Sequence, residues 1–129
     1  MRLLLAGLLL SGCGPVCTAV TNLAASRLCV PDGGAAANQA LALTAETCDG
    51  CGVSTAACTT SVSDSTVTVL LTGQRCTMTG ACPALCQLTQ TRCDVGPLDA
   101  GTYTFAGAAT GTLVVVPSGG ATSCANGIP

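Results

Sequence analysis

The cysteines are the residues of this chain whose type and spacing could do chemistry. Among 129 residues there are eleven cysteines and no histidine, and Cys48-Asp49-Gly50-Cys51 is a C-x-x-C segment with Cys58 close behind it. A C-x-x-C pair with a lowered thiol pKa can exchange disulfides. Three neighbouring thiolates could instead hold zinc. Cys48, Cys51 and Cys58 are therefore candidates for a thiol-redox or metal-binding module.

The composition favours a structural role for the same sulfur atoms. Redox C-x-x-C pairs usually sit at a helix N-terminus within a βαβ unit, which the flanking sequence does not suggest. With one Tyr, one Phe and no Trp, the chain lacks the aromatic side chains that usually fill a core. Several disulfides, at about 2–4 kcal/mol each, could supply the missing stability in an oxidising compartment. We expect no metal and no cofactor, and ten disulfide-bonded cysteines: Cys17, Cys29, Cys48, Cys51, Cys58, Cys76, Cys82, Cys86, Cys93 and Cys124.

The spacing of these cysteines limits how they pair. Cys86 and Cys93 fall on one predicted strand, where they would lie about 23 Å apart, too far for a bridge. The favoured pairings are Cys17 with Cys29, Cys124 with Cys48 or Cys51, and Cys93 with Cys76 or Cys82.

Few residues could support catalysis or nucleic-acid binding. The chain has neither His nor Lys, which excludes Ser–His and Ser–Lys nucleophile pairs. Two carboxylate pairs remain, Glu46 with Asp49 and Asp94 with Asp99, but both lie near predicted turns, where Asp normally binds backbone amides. Only four arginines are present, so no basic patch for phosphates is expected. The sequence predicts a non-enzymatic protein with no catalytic residue and no nucleic-acid partner.

An apolar segment at residues 3–10 follows Arg2 and ends just before Cys13. Eight residues are too few to span a hydrocarbon core of about 30 Å, but they suit the apolar region of an export signal. The segment Leu10-Ser11-Gly12-Cys13 resembles the lipobox of bacterial lipoproteins. The resemblance implies that residues 1–12 are removed and that Cys13 becomes an N-terminus carrying diacylglycerol, often with a further acyl chain such as palmitate on its amine.

The lipobox also implies a location and a partner. The partner is a membrane of the cell envelope, and Gly14 after the cysteine favours the outer membrane where two are present. Other envelope proteins are the expected protein partners. The alternative is an ordinary export signal cleaved after Ala19, which would leave nine cysteines. Lipidation of Cys13 leaves ten, an even number that can pair completely.

Strand signals dominate the rest of the chain. We predict strands at about residues 40–47, 86–95 and in two hairpins, one joining 56–62 to 66–72 and one joining 101–107 to 112–117. Residues 21–28 could form one helical turn, and Pro31-Asp32-Gly33-Gly34 is a turn signal. Six short strands at this spacing indicate an antiparallel β-sandwich.

One motif narrows the architecture further. Asp99-Ala100-Gly101-Thr102-Tyr103 resembles the tyrosine corner of immunoglobulin-like domains. Tyr103 and Phe105 alternate along their strand, so both should face the core. The sequence thus predicts an all-β chain: a signal peptide (1–12), an irregular N-terminal segment (13–39) and a small disulfide-stapled, immunoglobulin-like antiparallel β-sandwich (40–129). The predicted function is a membrane-anchored structural or protein-interaction module.

Overall fold

The computed structural model describes residues 15–30, 35–78, 80–82, 85–116 and 124–126. These residues form strands in two sheets and no helix, which confirms the predicted all-β class. It follows that none of them forms an apolar helix able to cross a membrane. The strands are β1 (Cys17–Leu23), β2 (Arg27–Cys29), β3 (Ala35–Ala36), β4 (Ala40–Asp49), β5 (Val53–Ser63), β6 (Thr66–Cys76), β7 (Gln87–Pro97), β8 (Gly101–Gly107), β9 (Gly111–Val116) and β10 (Cys124–Asn126).

The larger sheet is organised around β6. Strand β5 pairs along the whole of one edge of β6. Two strands share the other edge: β8 pairs with the first half of β6, from Thr66 to Val69, and β1 pairs with the second half up to Cys76. Beyond β8 lie β9 and β3. The smaller sheet has the order β10-β2-β4-β7 and is antiparallel throughout.

Alternating side chains from the two sheets form a single core. Leu41, Leu43 and Ala45 of β4 are buried, and so are Val67 and Val69 of β6. This period of two is what a strand with one buried face requires. Side chains of both sheets belong to the same hydrophobic cluster, as expected for two sheets packed face to face.

The N-terminal segment takes part in both sheets. The Ala25 amide donates to the carbonyl of Ala108, which directly follows β8 of the larger sheet (2.9 Å), and the Ser26 amide donates to the carbonyl of Glu46 in the smaller sheet (2.7 Å). The chain therefore crosses between the sheets here, leaving β1 on one and β2 on the other. The prediction of an irregular segment at 13–39 is wrong for residues 17–23, 27–29 and 35–36, which form strands, and the predicted helical turn at 21–28 is absent, because long-range pairing with β6 and β4 holds β1 and β2 as strands.

Most strands predicted for residues 40–129 are confirmed, several with longer bounds. Strand β4 covers its predicted segment, whereas β7 begins one residue later than predicted and extends to Pro97. The β5–β6 hairpin turns at Asp64 and Ser65, and β8 pairs with β9 as predicted. The predicted turn at Pro31-Asp32-Gly33-Gly34 lies outside the described residues.

The larger sheet is mixed, which corrects the prediction of a purely antiparallel sandwich. Strand β8 runs parallel to β6, and β3 runs parallel to β9. Both parallel pairs join strands that are distant in sequence, so no local turn motif predicts them.

The Asp99–Tyr103 motif forms a local hydrogen bond. The Tyr103 hydroxyl donates to the Asp99 carbonyl oxygen over 3.2 Å. Tyr103 is half-buried against the core cluster, and Phe105 is buried within it, so both face inward as predicted.

Candidate functional site

Three disulfides gather at one end of the sandwich, which we call the cystine end. It comprises the β4–β5 turn, the C-terminal end of β6, the described part of the segment 77–86, the N-terminal end of β7, and the N-terminal end of β1 with the preceding Val16. The bridges are Cys17–Cys76, Cys48–Cys86 and Cys51–Cys82.

The two cysteines of the C-x-x-C segment are bonded to different partners. Cys48 is bridged to Cys86 with a Cα–Cα distance of 5.2 Å, and Cys51 to Cys82 with one of 5.3 Å. The bridges are nested in sequence and fasten the β4–β5 turn to the segment between β6 and β7. In this form neither sulfur is a thiolate, which both disulfide exchange and zinc binding would require.

The β4–β5 turn packs tightly on the end of β6. Cys51 and Gly52 both have positive φ, 54° and 77°. The amide of Cys76 donates to the carbonyl of Gly52 over 2.7 Å, and a Cβ on Gly52 would collide with the carbonyl oxygen of Cys76. Glycine is required here because it fits both the left-handed backbone and the close approach.

The chain before β1 is held at the same end. The Thr77 amide donates to the Val16 carbonyl over 2.9 Å, and the Val16 amide donates to the Thr77 hydroxyl over 3.2 Å. Together with the Cys17–Cys76 bridge, these bonds hold Val16 and Cys17 at the C-terminal end of β6.

A fourth bridge, Cys58–Cys93, joins the edges of the two sheets. Cys58 lies on β5 and Cys93 on β7, with Cα atoms 5.2 Å apart, and Cys93 is fully buried. Next to it, the Thr60 hydroxyl donates to the Asp94 carbonyl over 2.6 Å. This side of the sandwich is therefore closed covalently.

Cys29 is also disulfide-bonded. Its backbone lies directly opposite that of Cys124 in the antiparallel β2–β10 pair. Cys17 and Cys76 are opposed in the same way across β1 and β6, with Cα atoms 3.9 Å apart.

All three predicted pairings are wrong. Cys17 bonds to Cys76 rather than Cys29, because β1 pairs with β6 instead of folding back locally. Cys48 and Cys51 are bonded to Cys86 and Cys82, so neither is available to Cys124. Cys93 bonds to Cys58 because β5 and β7 are adjacent edges. Cys86 and Cys93 are not paired with each other, as their spacing predicted.

Asp49 is the centre of a polar network just inside the cystine end. The Thr55 amide donates to Asp49 Oδ2 over 2.8 Å, and the Thr55 and Thr47 hydroxyls lie 2.8 and 3.0 Å from Oδ1. The two hydroxyls are 2.8 Å apart, and Thr47 is buried. Partial burial alone would raise the pKa of Asp49, but hydrogen bonds from Thr55, Thr47 and Thr89 outweigh it and hold the pKa below its ordinary value.

The structure separates the two carboxylates of the first candidate pair, Glu46 and Asp49. Glu46 points away from the core, towards Gln90 (3.2 Å) and Arg27 (3.8 Å), whereas Asp49 lies on the opposite face of β4 with Thr47. Asp94 forms an exposed ion pair with Arg92 at 2.7 Å. Within the described part of the chain, no three Cys, His, Asp or Glu side chains are grouped as metal ligands.

Sequence reasoning missed one feature of the cystine end. Four large apolar side chains are exposed there: Val16, Met78, Leu85 and Leu88. They are scattered in sequence and follow no periodic pattern, so only the fold brings them to one end.

Comparison of the chain with models of known families, with curated proteins and with solved structures gave no match.

Proposed function

We propose that the chain is a non-enzymatic lipoprotein of the bacterial cell envelope, anchored by lipid on Cys13 and serving as a structural or protein-interaction module. The lipobox-like segment Leu10-Ser11-Gly12-Cys13 suggests the anchor. The observation that carries the proposal is the pattern of cysteine pairing in the folded domain.

Nine of the ten cysteines in the described part of the chain are disulfide-bonded, and eight of these nine pair among themselves in the four bridges above. The ninth, Cys29, is bonded outside these four bridges, and the two other cysteines of the sequence are Cys13 and Cys124. Cys124 is the expected partner because the β2–β10 register sets the two backbones opposite each other, as it does for Cys17 and Cys76. With that pairing, Cys13 would be the remaining cysteine of the sequence. A thiol consumed by acylation explains why an exported chain would keep an odd number of cysteines.

The rest of the domain supports a module without catalysis. The described carboxylates are separated or bound to threonines and arginines, and the bridged cysteines carry no thiolate. A rigid sandwich closed by disulfides suits a protein that works by presenting a surface outside the reducing cytoplasm. The expected partners are the membrane and other envelope proteins, with the outer membrane favoured where the cell has two.

Metabolic labelling in a bacterial host tests the proposal. Cells expressing the full chain receive a fatty acid with an alkyne tail, and the protein is examined for label and for recovery with the membrane fraction. The wild type should be labelled and membrane-bound, whereas Cys13→Ser should lose both properties. Ser11→Ala is the matched control, since it keeps a small residue before the cysteine and should leave labelling unchanged.

Two results would overturn the proposal: an unlabelled wild type, or a Cys13→Ser variant that keeps label and membrane association. A thiol titration on the same samples addresses the rival function. Free thiols at Cys48, Cys51 and Cys58 in the exported protein would favour the metal-binding or thiol-redox module instead.

A further inference from the structure

The cystine end is unusually apolar for an exposed surface. Val16, Met78, Leu85 and Leu88 are 67%, 59%, 87% and 65% exposed, respectively. Isolated apolar residues are common on protein surfaces, but a group of large ones at one end marks a contact surface.

The contacts of the cystine end place these four residues together. Val16 is hydrogen-bonded to Thr77, the neighbour of Met78, and the Met78 side chain lies against Gly52 of the β4–β5 turn. Leu85 precedes Cys86, which is bridged to Cys48, and Leu88 pairs with Cys48 across β4 and β7. Disulfides thus hold the apolar residues around one turn.

The proposed lipid site lies very close to this surface along the chain. Cys13 precedes Pro15 by two residues, a connection that reaches at most about 7 Å even when fully extended. Val16 and Cys17 are fixed to the end of β6 by hydrogen bonds and a disulfide. A lipid on Cys13 would therefore keep the cystine end at the level of the lipid headgroups.

The exposed charges differ between the two ends, and Asp49, the carboxylate just inside the cystine end, is half-buried and hydrogen-bonded to Thr47 and Thr55. Arg75 is exposed beside Cys76 at the cystine end. The exposed carboxylates Asp64 and Asp99 lie at the other end, where the β5–β6 turn and the start of β8 meet through a hydrogen bond from Thr104 to Ser65. An anionic leaflet attracts arginine and repels carboxylates, so it favours the same orientation.

We propose that the cystine end is a membrane-docking surface, with Val16, Met78, Leu85 and Leu88 seated in the headgroup region of the bilayer that holds the Cys13 lipid. The proposal rests on the proposed function, because the short connection from Cys13 provides the orientation. The acyl chains supply the anchor, and the apolar residues set the tilt of the domain and direct its opposite end towards partners.

Tryptophan fluorescence can test this docking directly because the chain contains no Trp. Leu85→Trp places a reporter at the cystine end. Val62→Trp is the matched control, since Val62 is an exposed apolar residue near the opposite end, roughly 30 Å from Cys76 at about 3.3 Å per residue. Both full-length variants are purified as acylated proteins from membranes and inserted into vesicles of phosphatidylcholine and phosphatidylglycerol, with or without bromine on the acyl chains.

We expect Leu85→Trp to emit at shorter wavelength in plain vesicles and to lose most of its emission in brominated ones, while Val62→Trp keeps its emission in both. Equal emission of Leu85→Trp in the two kinds of vesicle would overturn the docking. So would a shift to shorter wavelength without bromine quenching, which would indicate contact with a second copy of the chain. The mass of each sample is measured first, so a missing acyl group disproves the proposed function separately from the docking.

Discussion

A disulfide between Cys58 and Cys93 links the edge strands of the two sheets, and Cys93 is completely buried in the core. Cys51 and Cys82 form an exposed bridge nested within the loop already closed by Cys48 and Cys86. The two bridges should therefore contribute differently to stability.

We predict that replacing both Cys58 and Cys93 by Ala lowers the free energy of unfolding by about 3 kcal/mol, because the bridge no longer closes a loop in the unfolded chain. Replacing both Cys51 and Cys82 by Ala should lower it less, since the outer bridge still restricts that loop. Urea unfolding of the two double variants measures the difference. An equal or larger loss for the Cys51/Cys82 variant would contradict the prediction that the two bridges differ in this order.

The Asp49 network predicts a pH dependence. Since the folded-state pKa of Asp49 is lowered, its contribution to stability is present above its unfolded pKa of about 3.9 and is lost as the pH falls through the folded value. Asp49→Asn should be less stable than the wild type near neutral pH and should lose less stability on acidification below about pH 4. Urea unfolding across a pH series measures both effects.

Asp64→Asn is the matched control for Asp49, because Asp64 lies in the exposed β5–β6 turn and asparagine tolerates its positive φ of 52°. It reports what the same Asp-to-Asn change does at an exposed turn outside the network. If Asp49→Asn reproduces the wild-type profile, the network does not stabilise the ionised carboxylate.

Substitutions at two glycines distinguish the cost of backbone strain from the cost of a steric clash. Gly52 and Gly96 both have positive φ, 77° and 85°, but a Cβ on Gly52 would strike the backbone of Cys76, whereas a Cβ on Gly96 meets nothing within 4 Å. Gly96→Ala should cost about 1 kcal/mol from strain alone, at the low end of the range for such backbones. Gly52→Ala should cost clearly more. Thermal unfolding of the two variants tests this, and equal destabilisation would show that the turn can move away from β6.

The strands and turns that could be predicted are those marked by a pattern within a short stretch of sequence. In strand β4 the buried Leu41, Leu43 and Ala45 alternate with the less buried Ala42, Thr44 and Glu46, and Asp64 with its neighbouring serines marks the β5–β6 turn. Strands β1 and β2 show no such alternation, because β1 is largely exposed and β2 is only three residues long. They become strands through pairing with β6 and β4, contacts that no short window of sequence contains.

The disulfide connectivity was unpredictable for a related reason. A bridge needs Cα atoms about 4–7 Å apart, and which cysteines satisfy this depends on register and on which strands form the sheet edges. Cys17 meets Cys76 only because β1 occupies the second half of the β6 edge, and Cys58 meets Cys93 only because β5 and β7 are adjacent edges. The exposed Met78 and Leu85 were missed similarly, since neither belongs to a periodic segment.

One experiment measures both whether Cys13 is acylated and whether Cys29 is disulfide-bonded to Cys124. The protein is purified from membranes without reductant, its thiols are blocked, and its proteolytic fragments are identified by mass spectrometry. We predict a mature N-terminus at Cys13 carrying acyl chains, together with a disulfide-linked fragment that joins Cys29 to Cys124. A fragment joining Cys29 to Cys13, or an unmodified N-terminus after Ala19, would contradict the account.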